Sequence, residues 1–211
     1  MHTLFRRLRK ARAEGSRGAV LVEFVLIAPV FAVLMAGVLE MGLAFRDTMT
    51  VSNALRAGAR VGSNAGRERL ADYTILKSIE AAMAEIPTAR VQKIIVYRAS
   101  TSNSAPPAAC LSITAPTGSS PAGRNDASGV CNVYGASSFS LTSSNFSGTT
   151  CTSSQPDYNW CPTSRQSTQA LGADYLGIYM EVRYTYITKM FPGTGITIHD
   201  RAIMRLEPRL T

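Results

Sequence analysis

Gly18 and Glu23 are the two residues whose types and spacing offer the clearest chemistry in this chain. Glu23 lies in a long apolar run, and a charged side chain at the centre of a bilayer costs about 2.5–3.5 kcal/mol. A protease that cuts between Gly18 and Ala19 would create an α-amino group and make Glu23 the fifth residue. Such an amine and carboxylate can neutralise each other, within one subunit or between packed subunits. We therefore predict that Gly18, Ala19, Glu23 and the adjacent Phe24 serve processing and assembly.

No catalytic constellation can be assembled around the two histidines, His2 and His199. His199 precedes Asp200 in a predicted strand, where neighbouring residues point to opposite faces and cannot easily share one site. The sequence also has no G-x-S-x-G, no H-E-x-x-H and no phosphate-binding glycine loop. We predict that the chain is not an enzyme, with no catalytic residues and no cofactor, and a membrane-anchored hydrolase is disfavoured.

The run of residues 19–45 is long and apolar enough to be a transmembrane helix. Its only charges are Glu23 and Glu40, whereas about 20 apolar residues suffice to span a hydrocarbon core. A cleavable secretory signal has an apolar region of only about 7–15 residues. A buried helix of a soluble domain is the alternative, and it fits the flanking charges less well.

Residues 1–18 form a basic leader that predicts the orientation in the membrane. They carry six basic residues and one acidic residue, which accounts for most of the net charge of +8. The positive-inside rule then keeps the N-terminus in the cytoplasm. We predict a single-pass protein of the cytoplasmic (inner) membrane whose C-terminal domain is periplasmic or extracellular. Because the leader supplies the charge, we expect no nucleic-acid partner.

Two ridges of small residues suggest where the helix packs. One ridge lies beyond the span and indicates either close packing or a glycine-weakened helix end. The other lies inside the span and ends at Glu40, which would face a packed neighbour. Alternatively, Glu40 sits at the outer interface, about 25 Å along the helix from Glu23, and this interpretation is preferred. The outer ridge consists of Ala54, Gly58, Gly62 and Gly66.

The remaining patterns predict a small α+β domain. Residues 46–98 hold a helical stalk, a second amphipathic helix from Leu70 to Ile86 and a strand at Val91–Arg98. Residues 174–211 hold two more strands, Tyr175–Met190 and Ile196–Leu206, which we expect to pair as an antiparallel hairpin packed on the helices.

Residues 99–173 are an insertion rich in Ser, Thr and Gly that contains all four cysteines. Four cysteines in a translocated segment predict two disulfides with three possible connectivities, and sequence neighbours suggest Cys110–Cys131 and Cys151–Cys161. The segment has no Cys-x-x-Cys pair and no histidine, so we predict no metal site. Its stretch Asp157–Trp160 fits either a binding surface or the plug of a disulfide-bound loop.

Parts of this sequence resemble the TadE-like pseudopilins, minor pilin-like proteins of the tight-adherence (Flp) pilus, which is a type IV pilus-like system. The resemblance implies that a prepilin peptidase cuts after Gly18 and that Glu23 guides processing or assembly. It implies as partners membrane lipid, the prepilin peptidase, other pilin and pseudopilin subunits and the pilus assembly platform. The implied role is pilus assembly or anchoring in surface adhesion. The stretches that carry the resemblance are Arg17–Pro29, Gly37–Gly42, Ala54–Arg60 and, loosely, Ala202–Pro208.

The long insertion departs from the short members of that family. An alternative function is therefore an uncleaved, signal-anchored extracytoplasmic binding protein, either a sensor or an adhesin. Its binding function would lie in the disulfide-bearing insertion, and residues 1–18 would not be removed.

Overall fold

The computed structural model describes residues 2–116, 129–168, 172–189 and 191–207, with side chains described from Gly18 onward. The basic side chains of the leader, from which the membrane orientation was predicted, therefore lie outside the described side chains. Pro208, the end of the C-terminal resemblance, also lies outside the described residues. Within the described part, a long N-terminal helix, shorter helices and a four-stranded antiparallel sheet confirm the α+β class. The chain forms two compact units, and each is described separately.

Helix α1 (His2–Ala65) is continuous through the leader, the predicted span and the stalk. Pro29 lies inside this helix, a position that membrane helices tolerate. The helix ends where Gly66 adopts a left-handed φ of +54°, which suits a residue without a side chain. The N–H of Gly66 donates to the carbonyl of Gly62 at 3.0 Å and so satisfies one of the last carbonyls of the helix.

The first unit consists of the N-terminal helix through Leu43 and the loop Tyr186–Thr194. Most large apolar side chains of its helical part are exposed, Phe24 by 68% and Leu34 by 62%. Hydrophobic exposure on this scale marks a surface that lipid or another protein covers.

The second unit contains the sheet. After α1 come α2 (Ala71–Ala82), β1 (Val91–Ala99), α3 (Ala108–Leu111), β2 (Cys131–Tyr134), β3 (Tyr175–Thr185) and β4 (Gly195–Arg205). The strand order is β2-β1-β3-β4, and each neighbouring pair is antiparallel. The predicted pairing of the last two strands is therefore observed.

Both faces of this sheet are covered. Leu176 and Ile178 of β3 lie on the face that packs against α1 and α2. On the opposite face, Tyr97 of β1 forms a buried cluster with Cys110, Cys131 and Val133 from the insertion. The middle of strand β1, Ile94–Tyr97, is consequently buried on both sides, which explains why these residues form an apolar run.

Two elements end well before their predicted ends, and one strand was not predicted. Strand β3 ends at Thr185 and not at Met190, which lies outside the described residues. Helix α2 ends at Ala82, before the predicted Ile86, and the chain continues in turns that still bury Met83 and Ile86. Strand β2 was not predicted, because a four-residue strand within a polar insertion has no periodicity to detect.

Candidate functional site

The apolar part of α1 is the first candidate site. Within the described residues, the segment Gly18–Ala65 is the one helix long and apolar enough to cross a membrane, and none of its most apolar window is buried. The chain is thus consistent with a single-pass membrane protein, as predicted. This assignment rests on length and composition, and a membrane would supply the cover that the exposed side chains lack.

The residues predicted for processing are exposed on this helix. A Cβ atom built at Gly18 would meet nothing within 4 Å, so packing within the chain does not require glycine there. Glu23 lies one helical turn beyond Ala19 and is exposed, as is Phe24. Residues four apart on a helix share a face, so Ala19 and Glu23 lie on the same side of α1, and their amine–carboxylate pair stays a prediction.

Glu40 differs from Glu23 in being buried. Only 2% of it is exposed, and its Oε1 accepts a hydrogen bond of 2.5 Å from the backbone N–H of Thr188. This burial fits a packed neighbour, here a loop of the same chain, and the preferred place of Glu40 at the outer interface stays a prediction. The donor lies 148 residues away, and no local pattern could have indicated it.

The outer ridge of small residues divides into packing positions and a terminator. Ala54 is fully buried. A Cβ at Gly58 would lie 2.8 Å from Cγ1 of Ile79, and one at Gly62 would lie 2.7 Å from Cδ1 of Ile75, both on α2. These glycines therefore allow α1 to approach α2 closely, whereas Gly66 ends the helix. The close-packing interpretation thus applies to Ala54, Gly58 and Gly62, and the helix-end interpretation applies to Gly66.

The two disulfides tie the insertion to itself and to the sheet. Cys110–Cys131 joins α3 to β2, and Cys151–Cys161 closes a short polar loop. These are the sequence-neighbour pairs, and the described part of the chain has no free cysteine. Loops of about 10–20 residues closed in this way stabilise by on the order of 3 kcal/mol each.

Sequence reasoning missed a buried ionic cluster that includes residues of the loop closed by the second disulfide. Asp72 of α2 and Arg165 are both fully buried and form an ion pair of 2.5 Å. The Asp72 carboxylate also accepts hydrogen bonds from Asn132 Nδ2 at 2.7 Å and from the Tyr134 hydroxyl at 2.6 Å. These additional donors offset the loss of hydration that a buried carboxylate suffers.

The disulfide loop completes this cluster. The guanidinium of Arg165 lies 4.2 Å from the ring centroid of Trp160, and Asp157 pairs with Arg69. Burial, reinforced by the charge of Asp72 and opposed by Arg69, raises the pKa of Asp157 to about 6. Burial and the neighbouring Asp72 also raise the pKa of Tyr134 well above its usual value.

The stretch Asp157–Trp160 is therefore mostly a plug. Asp157 is fully buried and Trp160 nearly so, whereas Tyr158 is 45% exposed.

His199 and Asp200 do not share one site. They pair with Glu181 and Met180, neighbouring positions of β3, and so lie on opposite faces of the sheet. In the ranges that the structure describes, no three metal-binding side chains form a group that could hold an ion.

Comparison with known proteins found a similarity in the N-terminal part of the chain. No curated protein and no solved structure matched the sequence. Residues 18–60 match the model of one family, described as TadE-like protein. The match includes Gly18, Glu23, Glu40 and the first members of the outer ridge. The resemblance is confirmed over these residues, where the chain is similar to TadE-like proteins.

Proposed function

We propose that this protein is a minor pilin-like subunit that acts in the assembly or anchoring of a tight-adherence pilus and so supports adhesion. The observation that carries the proposal is the family match at residues 18–60. Much of that segment presents large apolar side chains that the chain itself leaves exposed. Lateral packing of α1 against the helices of other pilin-like subunits, within the lipid, would cover them.

Maturation is the first step of the proposed mechanism. A prepilin peptidase on the cytoplasmic side of the inner membrane would cut after Gly18 and release the basic leader. The absence of any packing need for glycine at this position supports a role in recognition, because a larger side chain would fit the fold equally well.

Assembly follows from the electrostatics of the new N-terminus. Glu23 is the only charged residue from Gly18 to Leu39, and it remains costly in lipid until a positive charge offsets it. The amine at Ala19 of the same subunit, or of a neighbouring one, would provide that charge. Where a neighbouring subunit provides the amine, the carboxylate in the span favours a packed arrangement of mature subunits over an isolated helix.

The experiment that tests this function is the intact mass of the protein in the membrane fraction of cells with an active peptidase. We expect a mature chain that starts at Ala19. Gly18→Arg should abolish cleavage, because a long charged side chain cannot enter a site shaped for glycine. Ser16→Arg is the matched control, since it adds the same charge to the leader and should still be cleaved. Retention of Met1 in the wild type would contradict the proposal and favour the uncleaved, signal-anchored binding protein.

A further inference from the structure

The loop Tyr186–Thr194, which joins β3 to β4, lies against the outer part of the apolar segment of α1. The N–H of Thr188 donates to Glu40, and the ring of Phe191 comes within 3.6 Å of the position that a Cβ on Gly37 would occupy. The rings of Tyr186 and Phe191 pack with centroids 5.5 Å apart. The loop is therefore fixed to the helix by a hydrogen bond and by ring packing.

The position of this contact along α1 matches the edge of a bilayer. At 1.5 Å per residue, Glu40 lies about 32 Å from Ala19 along the helix axis, and a hydrocarbon core is about 30 Å thick. If the span begins near Ala19, the loop lies where the hydrocarbon meets the headgroups. This step rests on the proposed function, in which α1 crosses the membrane.

The side chains of the loop suit that boundary. Ile187 is 64% exposed although it is large and apolar, and Lys189 is also exposed. Aromatic rings are enriched at membrane interfaces, and a lysine can place its stem in the apolar region while its ammonium meets lipid phosphates. On the helix near Glu40, Val38 and Met41 are likewise apolar and more than 70% exposed.

We propose that the loop Tyr186–Thr194 is a second membrane-binding element, which inserts into the outer-leaflet interface of a phospholipid bilayer. Ile187 and the Tyr186–Phe191 ring pair enter the boundary of the acyl chains, and Lys189 contacts lipid phosphate. Glu40 holds the loop against the span, because its buried carboxylate accepts the N–H of Thr188. The hydrogen bond also gives this carboxylate a donor in a region poor in water.

The test places an environment-sensitive fluorophore at single introduced cysteines in the full chain, with the native disulfides kept oxidised. The labelled variants are Ile187→Cys in the loop, Val30→Cys in the span and Ser102→Cys at an exposed site of the second unit. Each is reconstituted at a low protein-to-lipid ratio into phosphatidylcholine vesicles with a quarter phosphatidylglycerol. Lipids that carry a nitroxide quencher near the headgroup or deep in the acyl chain report the depth of each label.

We expect the Ile187→Cys label to emit at shorter wavelength than the Ser102→Cys label and to lose most of its fluorescence to the shallow quencher. The Val30→Cys label should respond to the deep quencher. A loop label that is quenched no more than the Ser102→Cys label, while the span label is quenched, would overturn this inference alone. Absence of quenching at both Val30→Cys and Ile187→Cys would refute the membrane span itself.

Two further comparisons test the contact of Glu40 with the loop and whether lipid covers the loop. Glu40→Ala should reduce shallow quenching of the loop label, whereas Glu40→Gln should preserve it because its amide oxygen accepts the same hydrogen bond. Equal quenching in Glu40→Ala and wild type would contradict the role of Glu40. Protection of the label that appears only at high protein-to-lipid ratio would show that a second copy covers the loop, and it would overturn the assignment to lipid.

Discussion

The two ends of α1 carry similar amino acids but meet different surroundings. Between Gly18 and Phe45 the large apolar side chains are mostly exposed, whereas Val51, Ala54 and Leu55 are fully buried in the second unit. The first segment needs partners that the chain does not supply, while the second finds them in α2 and β3. Substitutions in the first segment should therefore affect assembly, and substitutions around the second should affect stability.

The largest expected effect that would sharpen this contrast comes from Glu23→Ala. The variant should insert into the membrane and keep the stability of its second unit, yet lose pilus assembly because the amine at Ala19 has no counter-charge. Counting pili by electron microscopy, with membrane fractionation in parallel, measures both properties. Glu23→Asp keeps the charge and should restore part of the assembly. Normal piliation of Glu23→Ala would refute the role of the carboxylate.

The next effect concerns stability and contrasts two acids of α2. Asp72→Ala should lower the free energy of unfolding by about 3–5 kcal/mol, because it leaves Arg165 buried without its counter-charge. Glu80→Ala is the matched control: its pair with Lys77 is more than one-third exposed and should contribute about 0–1 kcal/mol. Denaturant titration followed by the fluorescence of Trp160, the single tryptophan, reports the second unit. Equal losses of unfolding free energy in the two variants would refute the importance of burying the Asp72–Arg165 ion pair.

Gly62→Ala should have an intermediate effect. The added methyl group would crowd Ile75, and overpacking of this kind typically costs about 1–3 kcal/mol. Gly42→Ala, on the same helix, would meet nothing within 4 Å and should be neutral or slightly stabilising. The same titration of Trp160 fluorescence compares the two variants. If Gly62→Ala were as stable as Gly42→Ala, close packing of the outer ridge would be contradicted.

The smallest effect is a pH dependence that resides in the second unit. The pKa of Asp157 rises to about 6 in the folded chain, chiefly through burial, so the folded state retains a proton that the unfolded state releases. The contribution of this group to stability is thus present below its unfolded pKa and is lost as pH rises through about 6. Asp157→Asn should flatten the wild-type stability profile between these pKa values. If the wild type and Asp157→Asn gave parallel curves of stability against pH, Asp157 would not titrate in this range.

Local patterns predicted much of the fold. The span followed from the length of its apolar run, and β1, β3 and β4 followed from their β-branched and aromatic residues. Strand β2 was missed because Cys131–Tyr134 is too short for a recognisable alternation. Its pairing with β1 depends on the sheet and not on the polar sequence around it.

The candidate sites also differ in how far they could be predicted from local sequence. Gly18 and Glu23 are close in sequence, so their spacing alone indicated a shared role. The ion pair of Asp72 with Arg165 joins residues 93 apart, and the contact of Glu40 with Thr188 spans a still longer separation. Such pairs are defined by tertiary structure, and a single sequence contains no periodicity that reveals them.

The glycines at 58 and 62 also constrain the order of events during biosynthesis. Their contacts on α2, Ile79 and Ile75, follow soon after α1, whereas their β3 contacts, Ile178 and Leu176, lie far downstream, so this strip of α1 is fully covered only after β3 has been synthesised. The pairing of β3 with the sheet covers the rest of the strip and thereby distinguishes a finished chain from a nascent one.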